Sequence, residues 1–199
     1  ALTHGNDEIL MGTREGMCIR FNEQHIRTCG RVSMGVRAIR LDEGDYVIDM
    51  ARIEEGAEVL VITAKGFGKR TSCDEYREQS RNGKGVRAMA VTDKTGPLAA
   101  QLLVHPDEDI LVITDDGTII RARVADIRLS GRNTQGVRIM RIAVGSEVVA
   151  VARTEAEEEE AAEEAVLDTT EEFVEEPTED PSLDMNLADG EAEEPKDEI

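Results

Sequence analysis

Aromatic side chains are scarce in this chain: there is no tryptophan, and two tyrosines and three phenylalanines occur in 199 residues. Any core must therefore be aliphatic. Few π-faces are available for unpaired bases, which disfavours single-stranded nucleic acid as a ligand. No apolar run approaches the roughly 20 residues that span a bilayer, and no signal peptide opens the chain. The first residue is Ala1, which fits a processed chain or a fragment. Cys18, Cys29 and Cys73 form no C-x-x-C pair and are odd in number, so they are expected as small, reduced interior side chains of a cytosolic protein. His4, His25 and His105 lie far apart, without metal-ligand spacing. Stretches of 10–15 residues at helical period are missing from residues 1–153, which argues against a parallel α/β fold.

Basic charge is almost missing from one end. Residues 154–199 hold 1 basic and 21 acidic side chains, whereas residues 1–153 hold 22 of each. The formal net charge of −20 thus sits entirely in the last 46 positions. Two regions are expected: a folded part, 1–153, and an acidic C-terminal tail, 154–199, disordered because like charges repel and apolar content is low. A tail so charged, tethered beside a basic surface, is expected to compete intramolecularly with any polyanion for it; the alternative is a solubility role. Phe173, Val174, Leu183, Met185 and Leu187 are weak docking candidates within it.

The folded part is a threefold repeat. Ile9-Leu10-Met11-Gly12-Thr13 returns as Val59-Leu60-Val61-Ile62-Thr63 and as Ile110-Leu111-Val112-Ile113-Thr114. Gly16, Gly66 and Gly117 follow, then Gly35, Gly85 and Gly136, each of the latter preceding Val-Arg. The offsets are 50 and 51 residues without internal gaps. Each unit reads as four short strands: an apolar β-branched run, a turn ending in Gly, a second alternating strand, a third from the second Gly (as in Val137-Arg138-Ile139-Met140), and a fourth at Val47–Met50, Leu98–Val104 and Val148–Val151. The expected fold is all-β, a propeller-like disc of four-stranded blades, about three repeats of 50 residues. One blade cannot bury both faces, so blades must stack.

Arginine keeps the same register. Arg20, Arg70 and Arg121 share one position; Arg27, Arg77 and Arg128 a second; Arg31, Arg81 and Arg132 a third; Arg37, Arg87 and Arg138 a fourth. Of the acids, only Glu8, Glu58 and Asp109 recur in all three units. One recurrent acid cannot match four recurrent arginines, so some are expected to reach solvent at the same place on every blade. A band of guanidinium groups suits the phosphates of a duplex bending around the rim. Lys69, beside Arg70, and Lys84 join these twelve arginines as candidate DNA-binding residues. No recognition helix is evident, so sequence would be read only through shape and bendability. The competing reading is a propeller that binds proteins through loop tips, its arginines engaged within blades.

These repeats resemble the C-terminal domains of the A subunits of DNA gyrase and its relative topoisomerase IV. The resemblance covers residues 6–153. It implies a β-pinwheel, usually six blades in gyrase, with strands exchanged between neighbours, and it implies double-stranded DNA as partner. The gyrase family's heptapeptide, Gln-Arg-Arg-Gly-Gly-Lys-Gly, is approached by Gln79-Ser80-Arg81-Asn82-Gly83-Lys84-Gly85, which departs at Ser80 and Asn82. Cys29–Gly35 and Ser130–Gly136 are more degenerate copies. In this loop glycines would let backbone amides approach a phosphate, with Arg81 and Lys84 supplying charge. The resemblance further implies a parent complex of two A and two B subunits that passes DNA strands at the expense of ATP. In it ATP and magnesium belong to the rest of the complex, and this chain carries no cofactor. Directional wrapping would make such strand passage introduce negative supercoils; the topoisomerase IV alternative decatenates. A bacterial, cytoplasmic, nucleoid-associated location follows, with no membrane partner. Of the two tyrosines, Tyr76 keeps register with Ile26 and Ile127 and is expected in the core, and Tyr46 opens a strand. Neither lies in a context that cleaves DNA, so the chain alone is expected to be non-catalytic.

Overall fold

A computed structural model describes residues 1–156, and the expected acidic tail lies almost wholly outside the described residues. Each repeat opens with an antiparallel hairpin: β1 (Glu8–Thr13) with β2 (Met17–Asn22), then, after β3 (Val47–Arg52), β4 (Glu58–Thr63) with β5 (Phe67–Ser72). Next come β6 (Val86–Arg87) and β7 (Leu98–Val104), then the hairpin of β8 (Glu108–Thr114) and β9 (Ile119–Arg123), and finally β10 (Val137–Arg138) and β11 (Val148–Glu155). The recurrent threonine has a local cause. Thr13 and Thr63 are buried, and their hydroxyls accept the Met17 and Phe67 amides at 3.2 and 3.1 Å, satisfying a donor inside each hairpin turn. Each second strand ends in a 3-10 turn: Glu23–His25, Cys73–Glu75 and Val124–Asp126.

The fourth strands β3, β7 and β11 pair with the edge of β1, β4 and β8 that faces away from the hairpin partner, each with a register shift near its start. They also lie beside one another, with β7 packed against both β3 and β11. The opposite edge of each sheet carries a strand from the next repeat. The sheet orders are β3-β1-β2-β6 and β10-β5-β4-β7, so β6 of the second repeat completes the first blade and β10 of the third completes the second. The third sheet, β11-β8-β9, has three strands. The third strand is thus shorter than the four residues expected of it, Val137–Met140, and it pairs outside its own unit. β11 runs on through Glu155, past the boundary expected at residue 153.

Alternation within a strand divides the core between blades. Val59 and Val61 of β4 join Leu10, Cys18, Tyr76, Met89 and Leu98 between the first and second blades. Leu60 and Ile62 join Ile110, Val112, Val124, Ile127 and Met140 between the second and third. The middle hairpin is covered on both faces, which is why Val59–Ile62 is continuously apolar. Burying each of these aliphatic side chains contributes about 1.5–3 kcal/mol. In the first repeat the same position is open: Ile26, in register with buried Tyr76 and Ile127, is 41% exposed, with no other blade among the described residues covering it. Cys18 and Cys73 are buried free thiols, Cys18 pushed up to about 12 by burial, but Cys29 lies exposed in a loop, contrary to the expectation for it.

Candidate nucleic-acid interface

The four arginine registers land in four different environments. Those of the first register project from the second strand of each hairpin toward the registered acid on the first. Arg20 pairs with Glu8, Arg70 Nη1 lies 2.7 Å from Glu58 Oε2, and Arg121 Nε lies 2.7 Å from Asp109 Oδ2. Arg20 and Arg70 then reach across the blade boundary. Arg20 Nη1 donates to the Cys73 carbonyl at 2.9 Å, and Arg70 Nε and Nη2 donate to the Ile127 and Ala125 carbonyls at 2.7 and 3.1 Å. These are ties between blades. Arg70 is 8% exposed and Arg20 half-buried, so these two candidate DNA-binding residues are held between blades, while Arg121 stays exposed beside Asp109.

Lys69 is removed from the candidate surface too. Its side chain points inward, and Nζ donates to the Gly131 carbonyl at 2.6 Å and to that of Arg132. Burial lowers its pKa to about 8. The neighbouring Glu75 opposes that shift.

In the third register, Arg81 Nε and Nη1 donate to the His25 and Arg37 carbonyls at 2.9 and 3.1 Å, and Arg132 Nη1 donates to that of Arg87 at 2.8 Å. Each holds its loop onto the preceding repeat. Arg31, the first of the set, is exposed. The heptapeptide-like loop is therefore packed rather than free. Asn82 occupies the left-handed region at φ 68°, where glycine stands in the family motif and which asparagine tolerates. Its amide donates to the Ala38 carbonyl, and the Gly83 carbonyl accepts from Arg40 at 2.8 Å. Lys84 remains at the surface, 2.6 Å from Asp42 in an exposed pair of little energetic weight.

The remaining two registers face solvent. Arg27, Arg77 and Arg128 follow the three 3-10 turns, are exposed, and make no ion pair among the described residues. Arg37, Arg87 and Arg138 are exposed as well. Arg87 lies in β6 and Arg138 in β10, the strands at the edge of each sheet opposite β3, β7 and β11. The Arg138 guanidinium stands 5.1 Å from the centre of the Phe67 ring, which orients it without neutralising it. Exposed Arg40 and Arg141, three residues beyond Arg37 and Arg138, extend this set. They recur in two repeats out of three, so threefold recurrence alone does not single them out.

Among the described residues, no cluster of His, Cys, Asp or Glu could hold a metal ion, and no helix is long and apolar enough to cross a membrane. Tyr76 is fully buried, as its register requires, and burial raises its phenol pKa. Tyr46 is half exposed, its hydroxyl accepting from Arg14 at 3.1 Å.

The sequence profile of the DNA gyrase C-terminal domain, beta-propeller, matches this chain three times, at residues 7–54, 57–99 and 108–155. Over 160 residues the chain is 43% identical to the DNA gyrase A subunit of Staphylococcus epidermidis, covering 79% of this chain and 18% of that protein. It is 40% identical over 161 residues to the DNA gyrase A subunit of Staphylococcus aureus, covering 80% and 18%. The chain therefore spans under a fifth of these relatives. Among solved structures, the C-terminal domain of DNA topoisomerase IV superposes with a TM-score of 0.74 at 24% identity, over 78% of this chain and 49% of that one. A DNA gyrase A C-terminal domain superposes at 0.71 and 20% identity, over 76% and 52%.

Proposed function

The chain belongs to the DNA gyrase C-terminal β-propeller family, and we propose that it binds and wraps duplex DNA as the C-terminal part of the A subunit of a type IIA topoisomerase. What carries this reading is one arrangement: three equivalent blades, each presenting an exposed arginine, Arg27, Arg77 or Arg128, with no ion pair among the described residues. Arg37, Arg87 and Arg138 add a second exposed charge to each repeat. Equivalent charges on successive blades can meet phosphates spaced along a bent duplex. Bending 20–30 base pairs by 40–90° costs about 1–6 kcal/mol, which counterion release from several phosphate contacts offsets at low salt. A protein-binding propeller would have these arginines engaged within its blades, whereas Arg27, Arg77 and Arg128 make no ion pair among the described residues.

Gyrase is favoured over topoisomerase IV by the 43% identity to a gyrase A chain; the likeness to topoisomerase IV is one of fold. In the parent assembly this part would hand a wrapped segment to the cleavage core, so that ATP-dependent strand passage by two A and two B subunits runs toward negative supercoiling. The setting proposed is the bacterial cytoplasm, at the nucleoid. The test is an electrophoretic mobility shift with linear duplex DNA between 50 and 200 mM salt. A loss of affinity of about 10³–10⁵, as 6–10 phosphate contacts require, supports the reading. A flat salt response contradicts it.

A further inference from the structure

Basic charge recurs from blade to blade, but one place breaks the repeat. Phe67 opens β5, and its position holds Met17 in the first repeat and Thr118 in the third. Phe67 is 7% exposed and packs in the core between the first and second blades. Two cations approach its ring. The guanidinium of Arg138, its partner on β10, stands 5.1 Å from the ring centre, and the Lys94 ammonium stands 5.6 Å from it. In the first blade the corresponding Arg87 faces Met17, which offers no ring.

An insertion delivers the lysine. From Gly85 to Leu98 the chain takes one residue more than from Gly35 to Val47 or from Gly136 to Val148. The longer loop is pinned on both sides of Lys94. The hydroxyl of buried Thr95 accepts the Thr92 amide at 2.9 Å, the Gly96 amide donates to the Thr92 carbonyl at 2.8 Å, and Lys65 Nζ donates to the Asp93 carbonyl. Lys94 and Arg138 are both exposed, and neither makes an ion pair among the described residues. Exposed Asp93, next to Lys94 in sequence, pairs with neither. The ring attracts each cation by about 0.5–1 kcal/mol but leaves both charges positive and mutually repelling. An anion lying between them satisfies both at once.

We propose that Lys94 and Arg138 form a two-cation seat for a single phosphodiester of bound duplex, with Phe67 as the positioning residue that fixes both. The two non-bridging oxygens of one phosphodiester accept one donor each. The proposal rests on the DNA-binding reading above and adds a fixed point to it. Recurrent arginines hold a duplex equivalently on every blade, whereas this seat occurs at one joint among the described residues and sets where the duplex lies. Side chains already ordered against a ring lose less freedom on binding, so this joint grips more tightly than its neighbours.

The test is fluorescence anisotropy of a labelled duplex with the full 199-residue chain across a salt series. The variants are Lys94→Gln, Arg138→Gln, both together, and Phe67→Leu, beside Arg77→Gln. Each neutralised phosphate contributes about 0.9 to the slope of log affinity against log salt. A phosphate that keeps one of its two cations stays neutralised. Each single substitution in the seat should therefore lower affinity about fivefold, the worth of a good exposed ion pair, and leave the slope nearly unchanged. The pair should lower the slope by about 1, as Arg77→Gln does alone. Phe67→Leu removes no charge and should lower affinity at an unchanged slope, with the urea midpoint reporting any loss of fold. A slope that falls by about 1 for each single substitution and about 2 for the pair means two separate phosphates and overturns the seat. A pair that binds like the unsubstituted chain overturns it as well, and both results leave the DNA-binding reading standing. An unsubstituted chain without salt-dependent binding overturns that reading and the seat with it.

Discussion

Arg70 and Arg77 lie seven positions apart and do different work. Arg70 is buried against Glu58 and two carbonyls of the next repeat, so Arg70→Ala leaves a carboxylate without its counter-charge. We expect it to destabilise the fold by about 3 kcal/mol, read as a shift in urea midpoint. Replacing Arg27, Arg77 and Arg128 together by alanine touches no ion pair among the described residues. It should leave that midpoint within about 0.5 kcal/mol while lowering the slope of log affinity against log salt by about 3. Lys69 adds a pH signature. Its folded pKa, about 8, lies below the ordinary lysine value of 10.5, so between these limits the unfolded chain binds more protons and stability rises with pH. Cys18, raised to about 12, works in the opposite sense above the ordinary thiol value of 9.0. Melting temperatures of the protein and of Lys69→Met should therefore be compared between pH 8 and 9, where the unsubstituted protein gains relative to the variant. At this scale the sequence tells that arginine recurs, and the single recurrent acid tells that one register is paired. It does not tell which, because the other partners are backbone carbonyls of a neighbouring repeat, and carbonyls carry no sequence signature.

Strands were more legible than side chains. The hairpins and fourth strands follow from alternation, β-branching and Gly-terminated turns, all local properties. Leu98–Val104 lies where its apolar run places it. Val86–Arg87 and Val137–Arg138 shorten to two residues because they are read against another repeat, a non-local pairing that no window along the chain contains. The glycines before them were visible in sequence, but the reason for them was not. Gly85 needs both a positive φ and room, since a Cβ would stand 2.3 Å from the Cys18 carbonyl; Gly44, at φ +80°, has open space around it. Gly44→Ala should cost about 1 kcal/mol of unfolding free energy, the strain of the left-handed backbone alone. Gly85→Ala should cost clearly more and detach β6, which hydrogen exchange at the Ala88 amide, bonded to the Gly16 carbonyl, would register.

Across the whole molecule the division of charge matters most: a balanced folded part, and 21 acidic side chains against one basic in residues 154–199. Composition made that division plain, while the tail's structure lies outside the described residues. Competition between the tail and DNA for the same arginines predicts that deleting residues 157–199, which leaves β11 whole, tightens duplex binding, most at low salt where screening is weakest. Equal affinities with and without the tail would show that it only keeps the chain in solution. Wrapping demands more than binding, and DNA topology reads it directly. Nicked plasmid saturated with the chain, sealed by ligase and then stripped of protein, should carry a shifted linking number that grows with protein added and vanishes for the combined alanine substitution of Arg27, Arg77 and Arg128. A sealed plasmid with the linking number of protein-free controls, at protein concentrations that saturate binding, would contradict wrapping.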